Sequence, residues 1–217
     1  MYGVKIKIWG DYACFTRPEM KVERVSYEVP TPSAIRGILE AIYWKPEIKW
    51  IVDKIYVLKP IKFTNIRRNE VGCKVSLSNV KTAMKGGRDE LSIFVEDERQ
   101  QRAAMVLKDV AYAVEAHFEI VSGDKNDGKH LDQFNRRARE GKCFHKPVLG
   151  CREFPAHFEL IEGEMPKAIQ ETKELSWMLY DMDFAEDVES PPAKFYFVKM
   201  ENGVIDVKKC LQESERR

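Results

Sequence analysis

Between two stretches of strand periodicity lies one segment whose pattern admits only a helix packed on a sheet, and it sets the architecture of the whole chain. Residues 31–46 read TPSAIRGILEAIYWKP, with Ile35, Ile38, Leu39 and Ile42 at i, i+3, i+4 and i+7, a single apolar stripe. Thr31 followed by Pro32 suits an N-cap and first turn, and Pro46 ends the run, so the spacing predicts a helix from about Ser33 to Trp44. Gly37 inside it weakens the helix by about 1 kcal/mol relative to alanine. Two reasons for a glycine there are open, close packing of the helix on a sheet or close approach of a ligand.

The flanking segments supply the sheet. MYGVKIKIWGDYACF sets Val4, Ile6 and Ile8 against Lys5, Lys7 and Trp9, which predicts a strand from about Val4 to Phe15 and lacks the unbroken apolar core of an export signal. After Pro46, IVDKIYVLKP and IKFTNIRRNEVG read as two strands, and Lys74–Asp89, with Gly86 and Gly87, reads as a basic loop or hairpin tip. Leu107–Val121 is again strand-like. A helix is predicted over about Lys129–Glu140, with Leu131, Phe134 and Ala138 inward, Arg136, Arg137 and Arg139 outward, and Gly141 as its exit. A strand over Leu149–Ile161 follows. The order is βαββαβ, which predicts an α+β fold, a ferredoxin-like (RRM-like) domain over residues 1–160. Residues 161–217 are expected to form a small antiparallel β-rich C-terminal domain. It comprises an acidic connector over Glu162–Pro192 and a hairpin of FYFVKM and VIDVKKC turning at Asn202-Gly203.

Composition narrows the class. Hydrophobic residues are 44% and charged residues 33% of the chain, and no apolar run approaches the ~20 residues of a membrane span. Five cysteines without paired spacing suit reduced thiols and a cytoplasmic location. The net charge of +1 hides a strong segregation. Lys59, Lys62, Arg67, Arg68, Lys74, Lys81, Lys85 and Arg88 share their stretch with Glu70 alone, whereas the charged residues of 161–192 are nine Asp and Glu against Lys167 and Lys173. One part of the molecule attracts phosphates and another repels them.

Two histidines lie in near-identical contexts, His117 in VEAHFEI and His157 in PAHFEL. In a regular strand Glu115, His117 and Glu119 share the face away from the core, about 7 Å apart, so an exposed imidazole between carboxylates is expected. Such a residue suits proton transfer near neutral pH, and these residues alone rank neither histidine above the other. Cys143, His145, Cys151 and His157 are all potential zinc ligands, but their spacings match no common zinc pattern. A small zinc protein is therefore the remote reading, and no metal or other cofactor is assigned. Phosphate-loop, dinucleotide and nucleophile-elbow motifs are absent from the sequence.

TPSAIRGILEAIYWKP, together with LGCREFPAHFEL at Leu149–Leu160, resembles the Cas family-five proteins of the subtype I-C CRISPR system. The resemblance implies a ferredoxin-like domain, a small C-terminal sheet, and metal-independent cleavage of precursor RNA at the repeat hairpin. It also implies retention of the product within a surveillance complex with other subunits. The family's catalytic tyrosine falls on Tyr43 and its histidine on His117, whereas the lysine expected immediately before that histidine is replaced by Ala116. The implied partners are the CRISPR repeat RNA, as hairpin and 5′ handle, and the complex's other subunits. Candidate RNA contacts are Arg36, Lys62, Arg67, Arg68, Lys81, Lys85, Arg88, Arg136, Arg137 and Arg139, a basic set that would also accept duplex DNA. Ala116 keeps open a second reading, a noncatalytic subunit that binds the 5′ handle.

Overall fold

The computed structural model describes the 217-residue chain except residues 1, 2, 21, 87–90, 124–126, 185 and 188. Its elements are β1 (Gly3–Ala13), α1 (Pro32–Ile42), β2 (Ile48–Val57), β3 (Phe63–Val71), α2 (Leu77–Met84), β4 (Arg99–Ile120), α3 (Asp127–Arg139), β5 (His157–Leu160), β6 (Lys173–Met182), β7 (Ala193–Met200), β8 (Val204–Asp206) and α4 (Val207–Ser214). The chain is a mixed α/β protein with antiparallel sheets. Two compact units are distinguishable, residues 1–64 with 105–217, and residues 65–104.

In the larger unit the strands lie in the order β5-β1-β4-β2-β8. Every pairing of this path is antiparallel. Residues opposite one another share a face, so the register sorts the sheet into two sides. Val4, Ala116 and Val52 line one, with Ile6, Val114 and Ile55, and with Trp50 and Phe118. This is the core side, where α1 and α3 lie: Trp50 and Phe134 of α3 have ring centroids 4.8 Å apart, and the Trp50 indole N–H donates to the Tyr43 carbonyl at 2.9 Å. On the other side lie Gly3, His117 and Ile51, then Lys5, Glu115 and Lys54, then Lys7, Ala113 and Tyr56.

Helix α1 forms as its caps predict. The Thr31 hydroxyl accepts from the Ala34 N–H, Pro32 opens the first turn, and Ile35, Ile38, Leu39 and Ile42 are buried. The stretch read as an acidic connector contains β6, which pairs with β7 and buries Leu175 and Met178. Its carboxylates obscured the alternation beneath them. Asn202 and Gly203 both take positive φ, 50° and 75°, as the turn predicts. The two strands it joins then part, β7 to β6 and β8 to β2, and VKKCLQES is the helix α4 rather than a strand. Asp206 caps it by accepting from the Lys209 N–H at 2.9 Å. Residues 161–217 thus share a compact unit with the N-terminal strands.

The smaller unit contains most of β3, α2 and the start of β4, and β3 pairs with β4. The Lys74–Asp89 stretch contains the Ser76-capped helix α2, none of whose residues is buried. Leu77 and Met84 stand largely exposed. No helix among the described residues is long and apolar enough to cross a membrane, and all five cysteines are free thiols.

Candidate active site and nucleic-acid interface

His117 sits on β4, on the side of the sheet away from the helices, but it is buried rather than exposed. Its carboxylate neighbour is neither Glu115 nor Glu119. Nδ1 lies 2.8 Å and 2.9 Å from the two carboxylate oxygens of Asp53 on β2. Along one strand, same-face residues are about 7 Å apart, whereas cross-strand neighbours come within about 5 Å. The partner of a strand histidine therefore comes from the next strand. The register slips between Val52 and Lys54, and this irregularity accommodates Asp53 beside the imidazole. With Nδ1 engaged by a carboxylate, Nε2 is the nitrogen left to exchange a proton with a ligand.

Around this pair the same side of the sheet carries a basic and aromatic set. Trp9 stacks on His157 with centroids 5.7 Å apart and an interplanar angle of 22°. The Lys7 ammonium lies 4.9 Å over the Trp9 ring and 2.8 Å from Glu159, and the Tyr56 hydroxyl donates to Glu115 at 3.1 Å. Lys5 is exposed. Trp9, Lys5, Lys7 and Asp53 were not singled out from the sequence. The polar half of the β1 alternation, Lys5, Lys7 and Trp9, was the available signal for the first three.

Tyr43 is on the other side. It caps α1, is 4% exposed, and its hydroxyl lies 3.0 Å from Nδ1 of His130, itself 6% exposed. Burial raises the phenol's pKa above its ordinary value, and nearby Glu47 adds to the effect, so Tyr43 stays protonated. His130 continues inward to Phe118, with ring centroids 5.9 Å apart. The structure therefore brings together Tyr43 with His130, and His117 with Asp53. It does not bring Tyr43 to His117, because their side chains lie on opposite sides of one sheet. His130 was missed although it lies four residues before Phe134 on the buried stripe of α3, where it, and not Leu131, is fully inward.

The candidate RNA contacts divide. Arg36 is held by a bidentate pair with Asp181 on β6 and lies 3.5 Å from Glu40, so its guanidinium is occupied within the fold. Arg137 donates to the Ile42 carbonyl at 3.0 Å and lies 3.8 Å over the Phe144 ring. Arg139 pairs with Glu162 at 2.6 Å, Arg136 with Gln133 at 2.8 Å, and Arg68 with Glu70 at 3.1 Å. Lys62, Arg67, Lys81 and Lys85 are exposed. Arg88 lies outside the described residues.

Three of the four suggested zinc ligands keep different surroundings. His157 is stacked on Trp9, His145 lines a groove beside α1, and Cys151 lies among Cys14, Thr16 and Arg24. There the hydrogen bond from Cys14 holds the Cys151 thiol below the usual range, with Thr16 and Arg24 assisting. Among the described residues no group of three or more His, Cys, Asp or Glu is placed to hold a metal ion.

With this geometry in view, residues 3–208 match the family model described as CRISPR-associated protein (Cas_Cas5). A protein of Mannheimia succiniciproducens named CRISPR pre-crRNA endoribonuclease Cas5d is 54% identical, over 99% of this chain and 98% of its own. A Thermus thermophilus protein of the same name is 47% identical over 90% of this chain and 80% of its own. Among solved structures, one titled Crystal Structure of CRISPR-associated Protein aligns with a TM-score of 0.69 at 23% identity, over 99% of this chain and 95% of that one. This likeness concerns the fold. The family match spans nearly the whole chain, both blocks TPSAIRGILEAIYWKP and LGCREFPAHFEL included, and the chain belongs to the Cas5d family, the Cas5 proteins of the subtype I-C CRISPR system.

Proposed function

We propose that this protein is an endoribonuclease that cuts CRISPR precursor RNA at the repeat hairpin and remains bound as a subunit of the surveillance complex. The observation that carries the reading is the His117–Asp53 contact on a sheet face bearing Trp9, Lys5, Lys7 and Tyr56. Aromatic rings stack unpaired bases and lysines meet phosphates, which is how four-stranded sheets of this type hold RNA. The strand order β5-β1-β4-β2 with α1 and α3 on one side supports a ferredoxin-like core within residues 1–160, extended by the β-rich residues 161–217.

The chemistry needs a base that takes the proton of a ribose 2′-hydroxyl and an acid that protonates the leaving 5′-oxygen. The 2′-oxygen then attacks the adjacent phosphorus, the P–O5′ bond breaks, and a 2′,3′-cyclic phosphate forms. His117, held through Nδ1, offers Nε2 for one of these transfers. Tyr43, protonated and bonded to His130, serves from the helix side as a positioning residue at the end of α1. Binding is carried by the sheet face and by Lys62, Arg67, Lys81 and Lys85. The same charges would accept duplex DNA. Reduced thiols accord with a cytoplasmic location.

The separation of Tyr43 from His117, with Ala116 in place of the family lysine, favours a second reading, a subunit that holds the 5′ handle without cutting. One experiment decides. The protein is incubated with repeat-hairpin RNA and with the same RNA carrying a single 2′-deoxynucleotide at the cut. Cleavage of the first alone supports the nuclease, and tight binding of both without cleavage supports the holder.

A further inference from the structure

The glycine in the middle of α1 now has one explanation fewer. A Cβ built on Gly37 meets nothing within 4 Å beyond its chain neighbours and its own helix backbone, so the residue is not there to let the helix pack closely on its neighbours. Its outer side opens instead into a groove of about 850 Å³, walled by Gly37, Trp44 and Lys45 on one side and Phe144, His145 and Lys146 on the other. The far wall is anchored. The Phe144 N–H donates to the Ala41 carbonyl at 2.8 Å, and Arg137 bridges the Ile42 carbonyl and the Phe144 ring.

The chemistry of the walls selects an occupant. Trp44 and Phe144 are 51% and 57% exposed, two large π-faces left in water where burial would be favourable. Lys45 and Lys146 are exposed and show no ion pair among the described residues. The carboxylate in the wall, Glu40, is turned to Arg36. Flat apolar faces combined with free ammonium groups match an unpaired nucleobase and its phosphates. The volume belongs to the small-ligand class, about one or two nucleotides, and is too small for a duplex. The groove lies on the outer side of α1, whose inner side packs on the core face of the sheet, so it is separate from His117.

We propose that this groove is a stacking site for unpaired nucleotides flanking the hairpin, with Trp44 and Phe144 holding the bases and Lys45 and Lys146 the phosphates. The proposal rests on the reading of RNA as the substrate. It is tested by fluorescence anisotropy with two RNAs, the repeat hairpin with its single-stranded flanks and the same hairpin trimmed of them. Trp44→Ala and Phe144→Ala are each expected to weaken binding of the flanked RNA by about 5- to 150-fold, the range found for base–aromatic stacks, and to leave the trimmed hairpin unaffected. Gly37→Leu guards against loss of folding. It removes the helix cost of glycine and its Cβ meets nothing beyond its chain neighbours and the helix's own backbone, so it should melt at or above wild type while losing affinity for the flanked RNA alone. Wild-type binding equal for the two RNAs, or variants that bind both as wild type does, overturns the groove proposal and leaves the proposed function standing. Loss of both RNAs by the same factor overturns it too, as does a variant that changes only the oligomeric state. Wild-type failure to bind either RNA overturns the function itself.

Discussion

Nδ1 of His117 lies 2.8 Å from a carboxylate oxygen of Asp53 on the adjacent strand, and this contact sets which imidazole nitrogen faces a ligand. Asp53→Asn should slow cleavage of repeat RNA by about tenfold or more, with RNA affinity unchanged. Asp53→Glu should recover part of the rate, which single-turnover cleavage would show. A loss of rate matched by an equal loss of binding would indicate a structural role.

Tyr43 and His130 satisfy each other in a buried setting. Tyr43→Phe leaves a buried ring nitrogen without its partner, at a cost of about 1–3 kcal/mol, which for a chain of this size lowers Tm by roughly 2–12 °C. Cleavage should fall while RNA binding persists below the melting range. Unchanged melting would show that the pair contributes nothing to the fold.

Arg36 and Asp181 tie α1 to β6. If the guanidinium serves the fold, Arg36→Ala and Asp181→Ala should destabilise similarly, by about 1–3 kcal/mol, and the double variant should cost much less than the two added. Additive losses in a thermal-melt cycle, or an RNA-binding loss confined to Arg36→Ala, would return Arg36 to the RNA contacts.

Several phenols are held protonated by burial. The Tyr56 pKa is pushed up to about 12 by burial and by its bond to Glu115, and burial likewise pushes up those of Tyr112 and Tyr196. In the unfolded chain phenols ionise near ~10. The stability these groups contribute is therefore complete below about pH 10 and is lost as pH rises from there through the folded values, about 12 for Tyr56. The share of tyrosinate absorbance from the buried phenols should appear only in step with loss of circular dichroism in an alkaline titration. Full ionisation near pH 10 with native circular dichroism would contradict this.

Much of the core was legible because its periods are clean. The α1 stripe at Ile35, Ile38, Leu39 and Ile42, and the alternation of Val4, Ile6 and Ile8, required only that a helix pack on a sheet. What escaped depends on long-range register. Asp53 reaches His117 through cross-strand pairing and a slip between Val52 and Lys54, which no local pattern announces. β6 was hidden because charged residues outnumber the buried Leu175 and Met178, and Tyr43 was assigned to His117 by family position, although the sheet separates the two. Trp9, Lys5 and Lys7 were legible as the outward half of β1, but a strand's outward face reads the same whether it meets solvent or RNA.

The most direct measurement is cleavage and binding of repeat-hairpin RNA by His117→Ala at equal concentrations of folded protein. A cleavage loss of about 10²- to 10⁴-fold is expected, with binding within a few-fold of wild type. Full cleavage by His117→Ala would contradict it and pass the role to another residue, with His157, stacked on Trp9, the first to test.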